Sequence, residues 1–486
     1  MKNEFSSASV IHPAIKYLVA VILMAVLGYL TVSKGYITLA AAMVFPISIS
    51  LFIILFKWPK LGLYASILLS FLIPPLNRFV YNIPYGFVVE IILVLVYIIL
   101  FFKHFKKLDF SPASNDIVAA ISIWMLYILL QIGNPWAQSI EAWAYAMRGV
   151  ALIQFLIIPL VFVLFREKKD LYQFMIFYFI LSGFGIFWAA KQQLFGLTTA
   201  ENAYLYNSGA HVTHMLFGKL RVFSYYFDAG TFGAAMGQLC IITALLYLGP
   251  FKKKLKYTFL ALSLGAFYAL MISGTRGAIA IPATGAVVFV ILIKKFKYIV
   301  ITASILMIGF LFLKYTSVGN SNYNVNRLRT ALDPNDPSLN VRIRNREKLT
   351  AYLSDKPFGG GVGSAGTWGQ RFTPNTWLAN FPPDGLYTRI RAETGIVGYL
   401  IYLFVWLYIL YRGFRVCWNL RDPKFKSIAT AFLAGYAGIL VANYGNEVMT
   451  QYPNNFITFI SLTFIFIIDR WDKEESQSKL ENKDPE

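Results

Sequence analysis

MRGVALIQFLIIPLVFVLF, residues 147–165, has Arg148 as its second residue, runs uncharged from Gly149 to Phe165, and is followed at once by Arg166, Lys168 and Lys169. Crossing the hydrocarbon core of a bilayer takes roughly 20 apolar residues, and only a helix satisfies its own backbone there. A membrane-spanning helix is the reading this stretch requires. The basic cluster behind it marks the end expected on the cytoplasmic side.

Working outward, the same pattern recurs along almost the whole chain. Candidate spans lie at 15–33, 36–56, 61–75, 86–102, 116–132, 147–165, 171–190, 229–249, 257–272, 277–293, 298–313, 393–411, 427–447 and 454–468. Of the 486 residues 57% are hydrophobic and only 14% charged, and the mean hydropathy is +0.57, outside the soluble range. The expected fold is an all-α polytopic membrane protein of about fourteen transmembrane helices. Residues 1–313 hold the first eleven, 314–392 form one long extracytoplasmic loop, 393–468 hold the last three, and 469–486 read as a disordered cytoplasmic tail.

A net charge of +20 would suggest nucleic acid in a soluble protein. Here the basic residues sort by loop. With the N-terminus inside, 22 of the 44 Lys and Arg fall in the N-terminal segment and the short cytoplasmic loops, among them Lys103, Lys106, Lys107, Lys252–Lys254, Lys294, Lys295 and Lys297. Only 7 fall in the short outer loops, and the long loop holds 11. The positive-inside rule therefore accounts for the charge, and nucleic acid is not expected as a partner. Cys240 and Cys417 have no plausible way to pair, and no metal framework is indicated. The first apolar run reads as a retained helix rather than a cleaved signal.

Arg148, Arg221 and Arg276 fall at outer helix ends, in AYAMRGVAL, LRVFSYYFDAG and MISGTRGAIA. Each alone could be snorkelling to the interface. Three on the side that the positive-inside rule disfavours point to an anionic ligand, and a guanidinium fork matches phosphate or diphosphate oxygens in pairs. In the long loop, SLNVRIRNREKLTAYLSDKP reads as a short helix with Ser338 as cap, Leu349 and Leu353 on one face and Pro357 after its end. FGGGVGSAG follows; without a Lys-Ser/Thr pair or a preceding strand it is not a phosphate loop. NFPPDGLYTRIRAETGIVGYLIYL then brings Asp384, Arg389, Arg391 and Glu393 to the start of a span, with Asp384 serving either as a proton acceptor or as a turn residue of Pro-Pro-Asp-Gly. Glu90, Asn443, Asn446 and Glu447 are polar residues inside or near spans, suited to supporting a site or to interhelical hydrogen bonds.

SGTRGA at a helix end, RNREKLTAYLSDKPFGGGVG in a long loop and DGLYTRIRAETGIVG entering the next span together resemble the O-antigen ligase and O-antigen polymerase family over roughly residues 221–410. Arg276, Arg342, the Pro357–Gly363 turn, Tyr387, Glu393, Gly395 and Gly398 fall at positions matching that family's motifs. The resemblance implies an architecture similar to GT-C-type membrane glycosyltransferases and a multi-pass protein of the bacterial inner membrane with its site facing the periplasm or cell exterior. It implies transfer of a glycan from an undecaprenyl diphosphate-linked oligosaccharide to an acceptor glycan or lipid-linked glycan, with membrane lipid as surroundings and without metal or other cofactor. Asp384 stands where the family pattern has histidine, the proposed base, and an aspartate is intrinsically the weaker base of the two. Arg148, Arg221, Arg276, Arg342, Arg389, Arg391 and Tyr387 are the expected substrate-binding residues, Asp384 the expected catalytic one, and Glu393 and Glu90 their supports. A repeat-unit polymerase for a surface or exopolysaccharide is the leading expectation and a ligase the nearest alternative. A transporter or flippase of lipid-linked glycan is the rival from another class, but it would place charged residues near the midplane of several spans rather than at one end.

Overall fold

The computed structural model describes residues 29, 49–79, 85–104, 109–216, 218–320, 323–330, 333 and 336–481. The first two expected spans fall outside these, apart from a helical stretch at 49–57. Twelve helices follow at the other twelve expected spans: α1 Lys60–Phe79, α2 Gly86–His104, α3 Asp116–Leu130, α4 Ile140–Leu164, α5 Lys168–Phe195, α7 Ala229–Leu248, α8 Lys253–Ile272, α9 Arg276–Ile293, α10 Phe296–Tyr315, α14 Leu386–Asn419, α15 Pro423–Ala442 and α16 Asn454–Glu481. Between them lie the short helices α6 Thr199–Asn207, α11 Tyr323–Arg329, α12 Pro337–Tyr352 and α13 Gly366–Phe372. Among the described residues ten helices are long and apolar enough to cross a membrane. The chain is an all-α polytopic membrane protein. α2, apolar over Gly86–Phe102, and α16 are not among those ten.

The core forms where small residues let backbones close in. A Cβ on Gly285 of α9 would lie 2.5 Å from Ile241 of α7, and one on Gly438 of α15 would lie 2.6 Å from Ile281 of α9. Interfaces of this kind hold helices in lipid by dispersion and shape, since apolar area alone gives no advantage over the surrounding chains. Of those ten spans α7 and α15 are the most enclosed, whereas α10 buries no residue. α16 carries Phe456, Phe459 and Phe464 into the centre. It runs helically to Glu481 through residues that composition alone assigned to a disordered tail, with Lys473–Asp469 and Arg470–Glu474 paired one turn apart.

The long connection has a small core of its own. Leu349 of α12 and Leu353, in the turn just past its end, pack with Ala365, Leu378, Phe381 and Ala392 of α14, and Tyr352 stacks on Trp377 at 4.3 Å.

The glycine turn explains how this segment is attached. α14 breaks at Gly395 (φ 65°, ψ −165°), which strands the carbonyls of the turn before it and the amides after it. The turn takes them up: Gly360 and Gly361 donate to the carbonyls of Ala392 and Glu393 at 3.0 and 2.9 Å, and Val397 donates to the Pro357 carbonyl at 3.2 Å. The Tyr127 hydroxyl satisfies the Thr394 carbonyl at 2.9 Å. A Cβ at Gly395 would sit 2.1 Å from the Pro357 oxygen, so only glycine fits there.

Candidate active site

Polar side chains collect at one end of the bundle, made by the N-terminal ends of α2, α4, α7, α9, α14 and α16 and the C-terminal ends of α8 and α15. Because consecutive helices alternate in direction, this end is opposite the basic connections Arg166–Lys169, Lys252–Lys254 and Lys294–Lys297. Two centres form there.

The first surrounds the Ser273–Arg276 turn between α8 and α9. Arg221 donates to the Thr213 carbonyl at 2.9 Å and to the Thr275 hydroxyl at 3.0 Å. Arg327 of α11 donates to the Gly274 carbonyl, and Gly274 (φ 58°) lies between the stems of Arg327 and Arg221. Arg276 donates to Asp336 at 2.6 Å and to Thr330 at 2.9 Å. Burial, together with the like charge of Arg327, lowers Arg221 from the usual arginine range to about 10, so it remains a cation at neutral pH. Three guanidiniums thus gather around one turn, with Asp336 paired to Arg276.

The second centre lines a cavity of about 580 Å³ that includes Asn77, Tyr85, Glu90, Tyr145, Arg148, Trp368, Arg389, Glu447, Gln451 and Tyr452. Arg148 donates through Nε to both oxygens of Glu90 at 2.8 and 2.6 Å and lies 3.5 Å over the Phe87 ring. Arg389 bridges two acids, Glu393 at 3.0 Å and Glu447 at 2.7 Å. Arg148 therefore does not join Arg221 and Arg276. It belongs with Arg389, one helical turn of α7 away: Thr275 bonds the Ala229 carbonyl at 2.8 Å, and Thr231 of the same turn bonds Gln451 of the cavity wall.

Asp384 is partly exposed beside the first turn of α14, where Asn345 of α12 donates to its Oδ2 at 3.2 Å. Gly385 presses on the carbonyls of Asn443 and Tyr444, the ring that Arg346 covers at 3.9 Å is that of Tyr444, and Arg342 lies against Gly445. Asn446 sits next to Gly230 and Gly277, so the 443–451 segment borders Asp384, Arg276 and the cavity in turn. Arg391 is partly buried on α14. The Tyr387 hydroxyl donates inward to the Leu440 carbonyl at 2.6 Å, which makes it a strut between α14 and α15. Arg327, Asp336 and Asn345 escaped sequence reading; the clue was their position in a long polar connection, and the pairings themselves span dozens of residues. Among the described residues no cluster of three or more His, Cys, Asp or Glu could hold a metal ion.

The fold is that of a polytopic membrane protein whose polar centres lie at one end of its helix bundle. Residues 258–403 match the family model of the O-antigen ligases, a likeness that supports the O-antigen ligase/polymerase family. The match runs from α8 through Arg276, α12, the glycine turn and the kink of α14. No curated protein matches the chain.

Proposed function

We propose that this protein moves an oligosaccharide from a lipid diphosphate carrier, of the undecaprenyl diphosphate type, onto an acceptor sugar hydroxyl, polymerising repeat units of a surface or exopolysaccharide at the outer face of a bacterial inner membrane. The observation that carries it is the gathering of Arg221, Arg276 and Arg327 around the Ser273–Arg276 turn, within reach of the segment that also borders Asp384. The acceptor oxygen attacks the anomeric carbon, the bond from that carbon to the diphosphate oxygen breaks, and the electron pair leaves with the diphosphate. The guanidiniums stabilise the charge that develops there. Asp384, oriented by Asn345, takes the hydroxyl proton. The 314–392 segment covers the centre and limits competing hydrolysis by water.

Ligase activity is the second reading, favoured by the family whose model matches residues 258–403. Purified protein supplied with a lipid diphosphate-linked repeat unit should give long chains on the carrier. A deletion strain that loses long chains but keeps a single attached unit supports the polymerase, and loss of all attachment favours the ligase. For sidedness, Ser354→Cys should react with a membrane-impermeant maleimide in intact cells and Ser476→Cys should not; the reverse pattern inverts the proposed orientation.

A further inference from the structure

The end of the bundle opposite the two centres has a cavity of its own, about 560 Å³, between the turn after α7, the first turns of α8, α10 and α15 and the last turn of α9. Its walls carry two kinds of chemistry. Leu245, Leu248, Phe289 and Leu292 supply apolar surface, and Phe289 meets the Tyr298 ring edge-on at 5.6 Å. Lys256, Lys295 and Lys426 supply charge, and no acid lines the cavity among the described residues. The side chains of Lys256 and Lys295 have no hydrogen-bond or ion-pair partner among the described residues, and Lys426 donates to the Trp418 carbonyl at 3.2 Å, which leaves its charge uncancelled. Three connections build the site. Residues 249–256 hold four lysines, 293–298 hold three, and 421–427 hold Arg421, Lys424, Lys426 and one acid, Asp422. The Asp422 carboxylate caps α15, accepting from the Lys424 and Phe425 amides at 2.8 Å. Of the acids on α16 nearby, Asp472 accepts from the Arg421 and Asp422 amides, and Asp469 is paired with Lys473 at 2.7 Å. With all three acids counted, the balance around the cavity stays positive.

The positive-inside rule accounts for lysines at this end of the helices. It does not account for three of them on the wall of one cavity whose remaining surface is largely apolar, while Lys253, Lys254 and Lys297 stand outside it. That pairing of chemistries suits an amphiphile with a phosphate head, since an ammonium is a point charge that can meet phosphate oxygens from any direction. A soluble phosphate would leave the apolar wall wet, and a zwitterionic head would bring an ammonium to a site without a carboxylate to receive it. The bilayer is at hand: α10 buries no residue, and its Phe296, Ile299 and Val300 stand exposed around Tyr298. We propose that this cavity seats an anionic phospholipid, its phosphate among Lys256, Lys295 and Lys426 and its acyl chains against Leu248, Phe289 and Leu292. Basic pockets between spans are an established form of lipid-head recognition. The seated lipid joins the foot of α10 to α15 and to the α7–α8 turn. It is independent of glycan transfer, whose centres lie at the other end of these helices.

The test titrates delipidated full-length protein in detergent with phosphatidylglycerol or with phosphatidylcholine of the same acyl chains, counting bound lipid by native mass spectrometry. Phosphatidylglycerol should bind first, in a single copy, about fivefold or more tighter than phosphatidylcholine, which is what one lysine at an anionic surface is worth. The combined variant Lys256→Gln, Lys295→Gln and Lys426→Gln should lose that preference. Lys253→Gln, Lys254→Gln and Lys297→Gln together remove the same charge outside the cavity and should keep it. Equal affinity for the two lipids in wild-type protein overturns the proposal, and so does an equal loss in both triple variants, which would mean that the basic surface acts as a whole. Glycerol 3-phosphate should not displace the bound lipid; displacement at matched concentration would assign the site to a soluble phosphate instead. A second measurement needs no variant. Phosphatidylglycerol with a diazirine in its acyl chain, photolysed in nanodiscs of otherwise zwitterionic lipid, should mark residues 287–300 of wild-type protein, and labelling confined to other helices overturns the proposal.

Discussion

Arginine plays opposite parts in two regions one helical turn apart. Around the Ser273–Arg276 turn, Arg221 and Arg327 are anchored mainly by backbone carbonyls and hydroxyls, which fix the guanidiniums without cancelling their charge. In the cavity, Arg148 and Arg389 are held by carboxylates, which fix and neutralise them together. A retained arginine at a helix end therefore says little about anion binding until its partners are known. The partner's chemistry decides whether the charge is spent within the fold or left for a ligand.

The strongest way to break that contrast is to remove arginines from the first region. Arg221→Ala and Arg276→Ala should each abolish polymer formation while the amount of protein in the membrane is unchanged, and lysine should restore only part of the activity because a point charge lacks the paired geometry. Full activity in either alanine variant would remove that residue from the anion site. Asp384→Asn should slow transfer by about 10² to 10⁴, the usual contribution of general acid–base catalysis, and Asp384→His should keep part of the rate. Near wild-type turnover in the asparagine variant would return Asp384 to a turn role.

In the second region the effect should appear as stability. Arg389→Met orphans the buried Glu393 as well as the partly exposed Glu447 and should cost about 3–5 kcal/mol, read as a lower unfolding midpoint in detergent and a smaller yield. Arg148→Met should behave likewise, and pairing it with Glu90→Met should recover much of the loss; a stable single variant would show that these guanidiniums are not bound to their acids. The smallest effect separates the regions by pH. Burial disfavours the charged form of Arg221, so affinity for inorganic diphosphate should be full at neutral pH and decline as pH rises through about 10. An affinity that stays flat through that pH would show that Arg221 contributes no charge to the anion.

Helix existence was legible in the sequence because a period and a run length carry it: every expected span in the described region found a helix, and Leu349 of α12 is buried together with Leu353 just past its end. The glycine-rich turn was visible, but not its mate, since nothing local says that Gly360 and Gly361 will cap the distant break at Gly395. Arg148 was grouped with Arg221 and Arg276 for its sidedness. Its partner Glu90 sits on another helix, 58 residues away, and such pairings depend on which helices become neighbours. Asp336 and Arg327 lie in a polar connection whose composition signals turns and hides contacts.

The junction between residues 357–363 and the break in α14 carries a lesson for anyone recombining such proteins. Because the turn supplies the missing ends of the helix, and the helix the missing ends of the turn, the two form one transplantable part despite their separation along the chain. A chimera that exchanges the loop at its visible borders would import one half of the joint against a foreign other half. Crossover points placed before Asp355 and after Gly398 would carry it whole.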